Sequence, residues 1–357
     1  ITWSLDDKYI FYSKLDKYHR PRKIYRHKIG TQPKKDVLIY EEKNDGFTCG
    51  IGISSDEKYY FVATSDHTTS EIYFFNANEH NPKLKLFKKR QKEIRYSVDS
   101  WMGNFYIHTN LDADDYKICK CKHENIKKWE DFVPETKGVL IGGFDLLNEW
   151  MLRSELRDAL PKLYVRNLNT NKEEELVITD EKVITPGASL MQKNRNTNKL
   201  YIAYTSPKTP GKSYIYDIVT KEKKLVKEEI VPSGHQSNDY IVERLNCDSH
   251  DGRKIPLTIT RHKKTKLDGN SNLLLYAYGS YGASMWPGFS SSRLSLINRN
   301  IIWVAAHIRG GMERGMNWWK EGKMLNKKNT FKDYISAAKF LINKKYTGKG
   351  KVIGMGG

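Results

Sequence analysis

Leu273-Leu274-Leu275-Tyr276-Ala277-Tyr278-Gly279-Ser280-Tyr281-Gly282-Ala283-Ser284 is an apolar run that breaks off into glycine and serine. A run of this length without alternation suits a strand covered on both faces, as in the parallel sheet of an α/β domain. Ile301-Ile302-Trp303-Val304-Ala305-Ala306 repeats the pattern. Between Thr330 and Lys345 the apolar period becomes helical, placing Phe331, Tyr334, Ile335, Ala338, Leu341 and Ile342 on one face. Thr330 with Asp333 resembles a capping box, and Gly348 marks the stop. Val352-Ile353-Gly354-Met355 then opens another apolar strand. Upstream, Asp251-Gly252 is a turn, and Ile255-Pro256-Leu257-Thr258-Ile259 reads as an edge strand. From about Tyr240 onward the order strand, strand, helix, strand predicts an α/β domain.

Residues 1–239 have a different grammar. Tyr9-Ile10-Phe11-Tyr12, Tyr59-Tyr60-Phe61-Val62-Ala63, Ile72-Tyr73-Phe74-Phe75 and Leu200-Tyr201-Ile202-Ala203-Tyr204 are short aromatic and β-branched runs. Asp, Asn, Ser and Gly punctuate them, which is strand-and-turn composition. A Ser/Asp turn precedes the strand at Ser4 and again at Ser54, and a second strand follows each. Repetition at roughly 40–50 residues fits propeller blades, with a β-sandwich as the alternative.

Composition excludes several classes. The chain has 357 residues, is 38% hydrophobic and 29% charged, and so can bury two cores rather than remain disordered. It contains no apolar run long enough for a transmembrane helix. Its net charge of +19 raises the question of a nucleic-acid partner. The lysines are dispersed, however, and short clusters such as Lys88-Lys89-Arg90 do not make a groove-sized patch, so a solvated basic surface is expected. Cys119-Lys120-Cys121 near His123 lacks zinc spacing and a second ligand pair. The two thiols are expected on one face of a strand, and neither a metal nor a cofactor is expected. Few cysteines fit a reducing compartment, hence a cytoplasmic location. Ile1 and Gly357 both read as interior positions, so the chain is expected to be an internal fragment.

Val352-Ile353-Gly354-Met355-Gly356-Gly357 has the form of a strand entering a nucleophile elbow, whose small residues permit the sharp turn. With Leu273–Ser284, the segments Ser292-Arg293-Leu294-Ser295-Leu296, Ala306-His307-Ile308-Arg309-Gly310-Gly311 and Lys327-Lys328-Asn329-Thr330-Phe331-Lys332-Asp333-Tyr334 resemble the prolyl oligopeptidase family of serine peptidases, in particular its oligopeptidase B group. Ile39-Tyr40-Glu41-Glu42-Lys43, Thr69-Ser70-Glu71 and Tyr96-Ser97-Val98 resemble that family's propeller, and the likeness runs end to end. The resemblance implies an incomplete β-propeller of seven-bladed type over residues 1–239. Residues 240–357 would be the N-terminal part of an α/β-hydrolase domain. The implied activity is hydrolysis of short peptides after Lys or Arg.

The resemblance also assigns residues. Tyr278 matches the hydroxyl that helps form the oxyanion hole, Tyr281 a position near the substrate pocket, and Gly356-Gly357 the entry to the nucleophile. The family's Ser, Asp and His would lie beyond Gly357, so this chain alone is expected to be inactive. A separately encoded C-terminal piece is one expected partner, and a basic propeller-type binding module is the alternative from another class. Met285-Trp286-Pro287-Gly288 stands where the family tends to carry acidic residues, which removes the basis for a paired-basic preference. With the family's catalytic His expected downstream, His307 is expected to be structural, and Arg309 to hold the loop after its strand. Gly310–Gly315 and Gly348–Lys351 lack the dinucleotide and Walker spacings.

Overall fold

The computed structural model describes residues 1–79, 81–191 and 195–357. Among the described residues, five consecutive sheets of four antiparallel strands, each a simple meander, run up to Glu228. The first runs through Thr2–Trp3, Tyr9–Leu15, Pro21–Lys28 and Val37–Glu41; the fifth runs through Thr185–Leu190, Lys199–Thr205, Lys212–Asp217 and Lys223–Glu228. This is the blade pattern.

The repeat is visible in atomic detail. Ser4 Oγ donates to Asp6 at 2.7 Å and accepts the Tyr9 N–H at 2.9 Å; Ser54 Oγ donates to Asp56 at 2.8 Å and accepts the Tyr59 N–H at 3.0 Å. The same Ser-x-Asp turn therefore launches the second strand of two successive blades.

The chain forms two compact units, Ile1–Glu135 and Thr136–Gly357. In the first, Phe11 and Ile24 pack with Tyr60, Val62 and Phe75 between the first and second sheets, while Phe61, Ile72 and Phe74 meet Phe105, Ile107, Cys119 and Cys121 between the second and third. Both thiols of Lys117–Lys122 lie on its buried face, and burial pushes Cys121 up to about 11. They pack as small apolar groups. Each large apolar side chain buried in these seams contributes roughly 1.5–3 kcal/mol.

A polar clamp crosses the seam between the first two sheets. Arg90 Nη2 donates to Glu42 at 2.7 Å and to Glu71 at 3.0 Å. Burial alone would raise the Glu42 carboxyl, but bonds from Thr64, Arg90 and the Asn44 N–H outweigh it and hold it at about 2.

The second unit contains two blades and a mixed five-stranded sheet. Its order is Tyr240–Asp248, Lys254–His262, Ile302–Ala306, Leu273–Tyr276, Val352–Met355. The last three are mutually parallel neighbours; the first two join them antiparallel. Lys254–His262 is thus interior, and Tyr240–Asp248 takes the edge expected for it. Pro256 is tolerated because it lies just outside the register that pairs Leu257 with Ala306 and Thr260 with Trp303.

The helix Lys328–Asn343 covers one face of this sheet, burying Thr330, Asp333, Ala337 and Leu341. This stripe differs from the expected one: Phe331 is 60% exposed and Ile335 51%. The cause is polar. Thr330 and Asp333 turn inward to bind the Arg309 segment, so neither caps the helix, whose N-cap is Lys327.

Candidate functional site

Two neighbouring strands deliver the candidate residues. Leu273–Tyr276 runs into Ala277-Tyr278, and its parallel partner Val352–Met355 runs into Gly356-Gly357. The Ala277 N–H donates to Met355 O at 3.2 Å, so the two strand ends leave the sheet side by side. A Cβ on Gly356 would sit 2.6 Å from the Ala277 carbonyl oxygen, which explains the need for glycine there.

Tyr278, Gly356 and Gly357 line one cavity of about 460 Å³, shared with Lys327, Phe331 and Tyr334. Tyr281 is not in it; this residue has a φ of 55° and is 79% exposed. Three of the four sequence candidates therefore converge, and the fourth lies on the turn beyond them.

The turn after Tyr278 is locked from below. Gly279 has a φ of 64°, and a Cβ there would lie 2.6 Å from Thr330 Cγ2 and 2.9 Å from Arg309 O. Gly310 presses on the same point: a Cβ on it would overlap the Gly279 carbonyl. Above, the Lys327 ammonium donates to Gly279 O and to Ser280 Oγ, both at 2.6 Å. Desolvation lowers the pKa of Lys327. From sequence Lys327 reads as solvated, because it opens a basic run.

We expect Gly310→Ala to cost about 1–3 kcal/mol through overpacking alone. Thermal unfolding of the variant measures this. A melting temperature within a degree of the parent would show that the Gly279 turn can move aside.

Arg309 is 1% exposed and is the keystone below that turn. Its Nε donates to Asp333 Oδ2 at 2.8 Å and its Nη2 to Asp333 Oδ1 at 2.6 Å, while Nη1 reaches Asp251 at 2.6 Å. Thr330 Oγ1 donates to Arg309 O at 2.8 Å. His307 is fully buried, with Nε2 2.8 Å from Thr258 Oγ1. Desolvation, reinforced by Arg244 and Arg314, pushes it down to about 3. It stays neutral at physiological pH.

One carboxyl escaped sequence reading. Glu313 is buried, its Oε1 accepts the Met285 N–H at 3.0 Å, and its Oε2 has no partner among the described residues. Burial raises it to about 7, against the smaller opposing effect of backbone N–H bonds. It anchors the Met285-Trp286-Pro287-Gly288 segment from beneath.

The model of the prolyl oligopeptidase N-terminal beta-propeller domain matches residues 1–229, and that of the prolyl oligopeptidase family matches residues 287–357. Dipeptidyl aminopeptidase BI of Pseudoxanthomonas mexicana is 33% identical, over 100% of this chain and 49% of its own length. Protease 2 of Moraxella lacunata is 32% identical, over 100% and 51%. Oligopeptidase B from Trypanosoma brucei, solved with covalently bound antipain, superposes with a TM-score of 0.92 at 29% identity, covering 99% of this chain and 52% of that one. Oligopeptidase B from Leishmania major gives a TM-score of 0.91 at 28% identity, covering 100% and 51%. The chain spans about half the length of the curated relatives it matches.

Proposed function

Because the chain belongs to the prolyl oligopeptidase family, we propose that it supplies the propeller and the opening part of the peptidase domain of a serine oligopeptidase. The substrates in this reading are short peptides cut after Lys or Arg. The observation that carries it is the convergence of Tyr278 with Gly356-Gly357 in one cavity at the ends of adjacent parallel strands. A nucleophile following Gly357 would attack a carbonyl beside Tyr278. The Tyr278 hydroxyl then donates to the oxygen on which charge develops, and the Lys327–Gly279 bond keeps its turn in place. Tyr281, on the exposed turn, is assigned to the approach of substrate. We place the domain boundary between residues 239 and 240, where Tyr240 begins the mixed sheet.

The triad residues belong to a polypeptide beyond this chain's sequence, so the chain by itself is inactive in this reading. A separate C-terminal piece carrying the triad is the partner in this reading. No helix among the described residues is long and apolar enough to cross a membrane. Four buried free cysteines support a reducing, cytoplasmic setting.

The test is complementation. The purified chain should show no turnover of an Arg-ending fluorogenic peptide, since lacking the serine costs about a millionfold. Adding a separately produced second half of a relative should restore turnover. Tyr278→Phe should then lower the restored kcat by about 10²–10³-fold. Restored turnover indifferent to Tyr278→Phe would remove the oxyanion role. Turnover by the chain alone that falls with Tyr278→Phe would remove the claim of inactivity.

A further inference from the structure

We propose that a second cavity, walled by Trp286, receives an apolar side chain of aromatic size from a bound peptide, and that Trp286 selects it. The cavity has a volume of about 510 Å³; Leu140, Leu156, Pro161, Leu163, Pro186 and Trp286 form its apolar lining, beside polar residues and two glycines. That volume is in the range of small-ligand sites, roughly 300–1,000 Å³. It lies wholly within the second compact unit.

The backbone makes the space. Strands Val139–Leu147 and Trp150–Arg157 slip register between Ile141 and Phe144, at Gly142-Gly143. Gly142 lines the cavity, and a Cβ there would overlap Ser154 Oγ. A bulge with glycine thus leaves a hollow where a regular strand would carry a side chain.

Charge decides the kind of occupant. Glu155 lines the cavity, but its carboxylate is taken by Arg153 at 2.9 Å and Arg157 at 3.2 Å. Lys162 also lines it, and its ammonium is 2.7 Å from Glu175. Among the lining residues an incoming guanidinium or ammonium therefore meets no uncommitted carboxylate, and desolvating it there would go uncompensated. An apolar group has no such cost.

Trp286 is 52% exposed yet fixed at its backbone. The Met285 N–H is held by Glu313 at 3.0 Å, and Trp286 O accepts the Gly288 N–H at 2.9 Å. A large, half-bare indole on a fixed backbone is a preorganised wall. The segment continues from the candidate site, since the Gly282 N–H bonds to Gly310 O beneath the Tyr278 turn. Naming the ligand a peptide rests on the peptidase reading above; the apolar selectivity rests on the lining alone.

The experiment is an NMR titration of the whole chain with N-acetyl-tryptophanamide, N-acetyl-phenylalaninamide and N-acetyl-argininamide, following the amides of Gly282–Gly288. The aromatic amides should shift this segment saturably and bind at least tenfold tighter than the arginine amide. Trp286→Ala should lose at least tenfold in aromatic affinity, and Trp286→Phe should recover most of it. Equal or tighter arginine binding, or aromatic binding unchanged in Trp286→Ala, would overturn the proposal. Tyr278→Phe separates the two readings. Aromatic binding that survives it while complementation yields no peptidase sinks the peptidase reading only; restored peptidase without aromatic binding sinks this one only.

Discussion

Replacing Glu313 with glutamine is expected to stabilise the protein at pH 8 by on the order of 3 kcal/mol while leaving stability near pH 4.5 almost unchanged. The folded protein raises this carboxyl from 4.5 to about 7, chiefly by burial. A carboxyl whose pKa is raised on folding favours the folded state when protonated. Its contribution is complete below the unfolded value of 4.5 and declines as pH rises, until the folded value near 7 is passed. Glutamine keeps an oxygen for the Met285 N–H and cannot ionise, so it removes the decline. Urea unfolding of both proteins at the two pH values gives the comparison. If the difference between them is the same at both, Glu313 does not titrate as described. Hydrogen exchange at the Met285 amide should also quicken with pH in the parent more than in Glu313→Gln.

The second large effect concerns Arg309. Asp333→Ala leaves a buried guanidinium without its bidentate partner and is expected to cost about 3–5 kcal/mol. Combining Arg309→Met with Asp333→Leu should cost less than Asp333→Ala alone, because the desolvated charge disappears along with its partner. Denaturant unfolding of the single and double variants forms the cycle. A single-variant loss below about 1 kcal/mol would mean that Asp251 and Glu321 already suffice to hold Arg309, and a double variant no better than Asp333→Ala would mean that the buried charge is not what costs stability.

Glu313 also marks where sequence reading stopped, whereas Arg309 was expected to hold its loop. The blades were legible because aromatic and β-branched runs alternate with Ser, Asp and Asn turns, and because the Ser4 and Ser54 turns repeat the same bonds. The strands at Leu273, Ile302 and Val352 were legible because continuous apolar runs have few other uses. The long helix was placed within two residues of its observed ends. Its buried face was not, since periodicity weighs only apolar residues and two polar ones, Thr330 and Asp333, turn inward for Arg309.

Glu313 and Lys327 were missed for the same physical reason. A charged residue between glycines or at the head of a basic run reads as solvated, and only three-dimensional packing reveals the carbonyl or N–H it serves. Tyr278 and Gly356-Gly357 were singled out through family resemblance. Strand grammar alone would have left Tyr278 as one packing tyrosine among 22 in the chain.

The strand order of the mixed sheet also bears on how the protein is made. Each blade pairs only sequence neighbours, so it can close soon after its fourth strand leaves the ribosome. Leu273–Tyr276 is different: both strands that flank it, Ile302–Ala306 and Val352–Met355, are synthesised later. Until they arrive, one of the most apolar stretches of the chain has nothing to pair with. Translation therefore passes through an interval in which finished blades precede an unpaired, adhesive strand. Chaperone capture and aggregation would both be concentrated in that interval, with Leu273–Tyr276 as the point of attack.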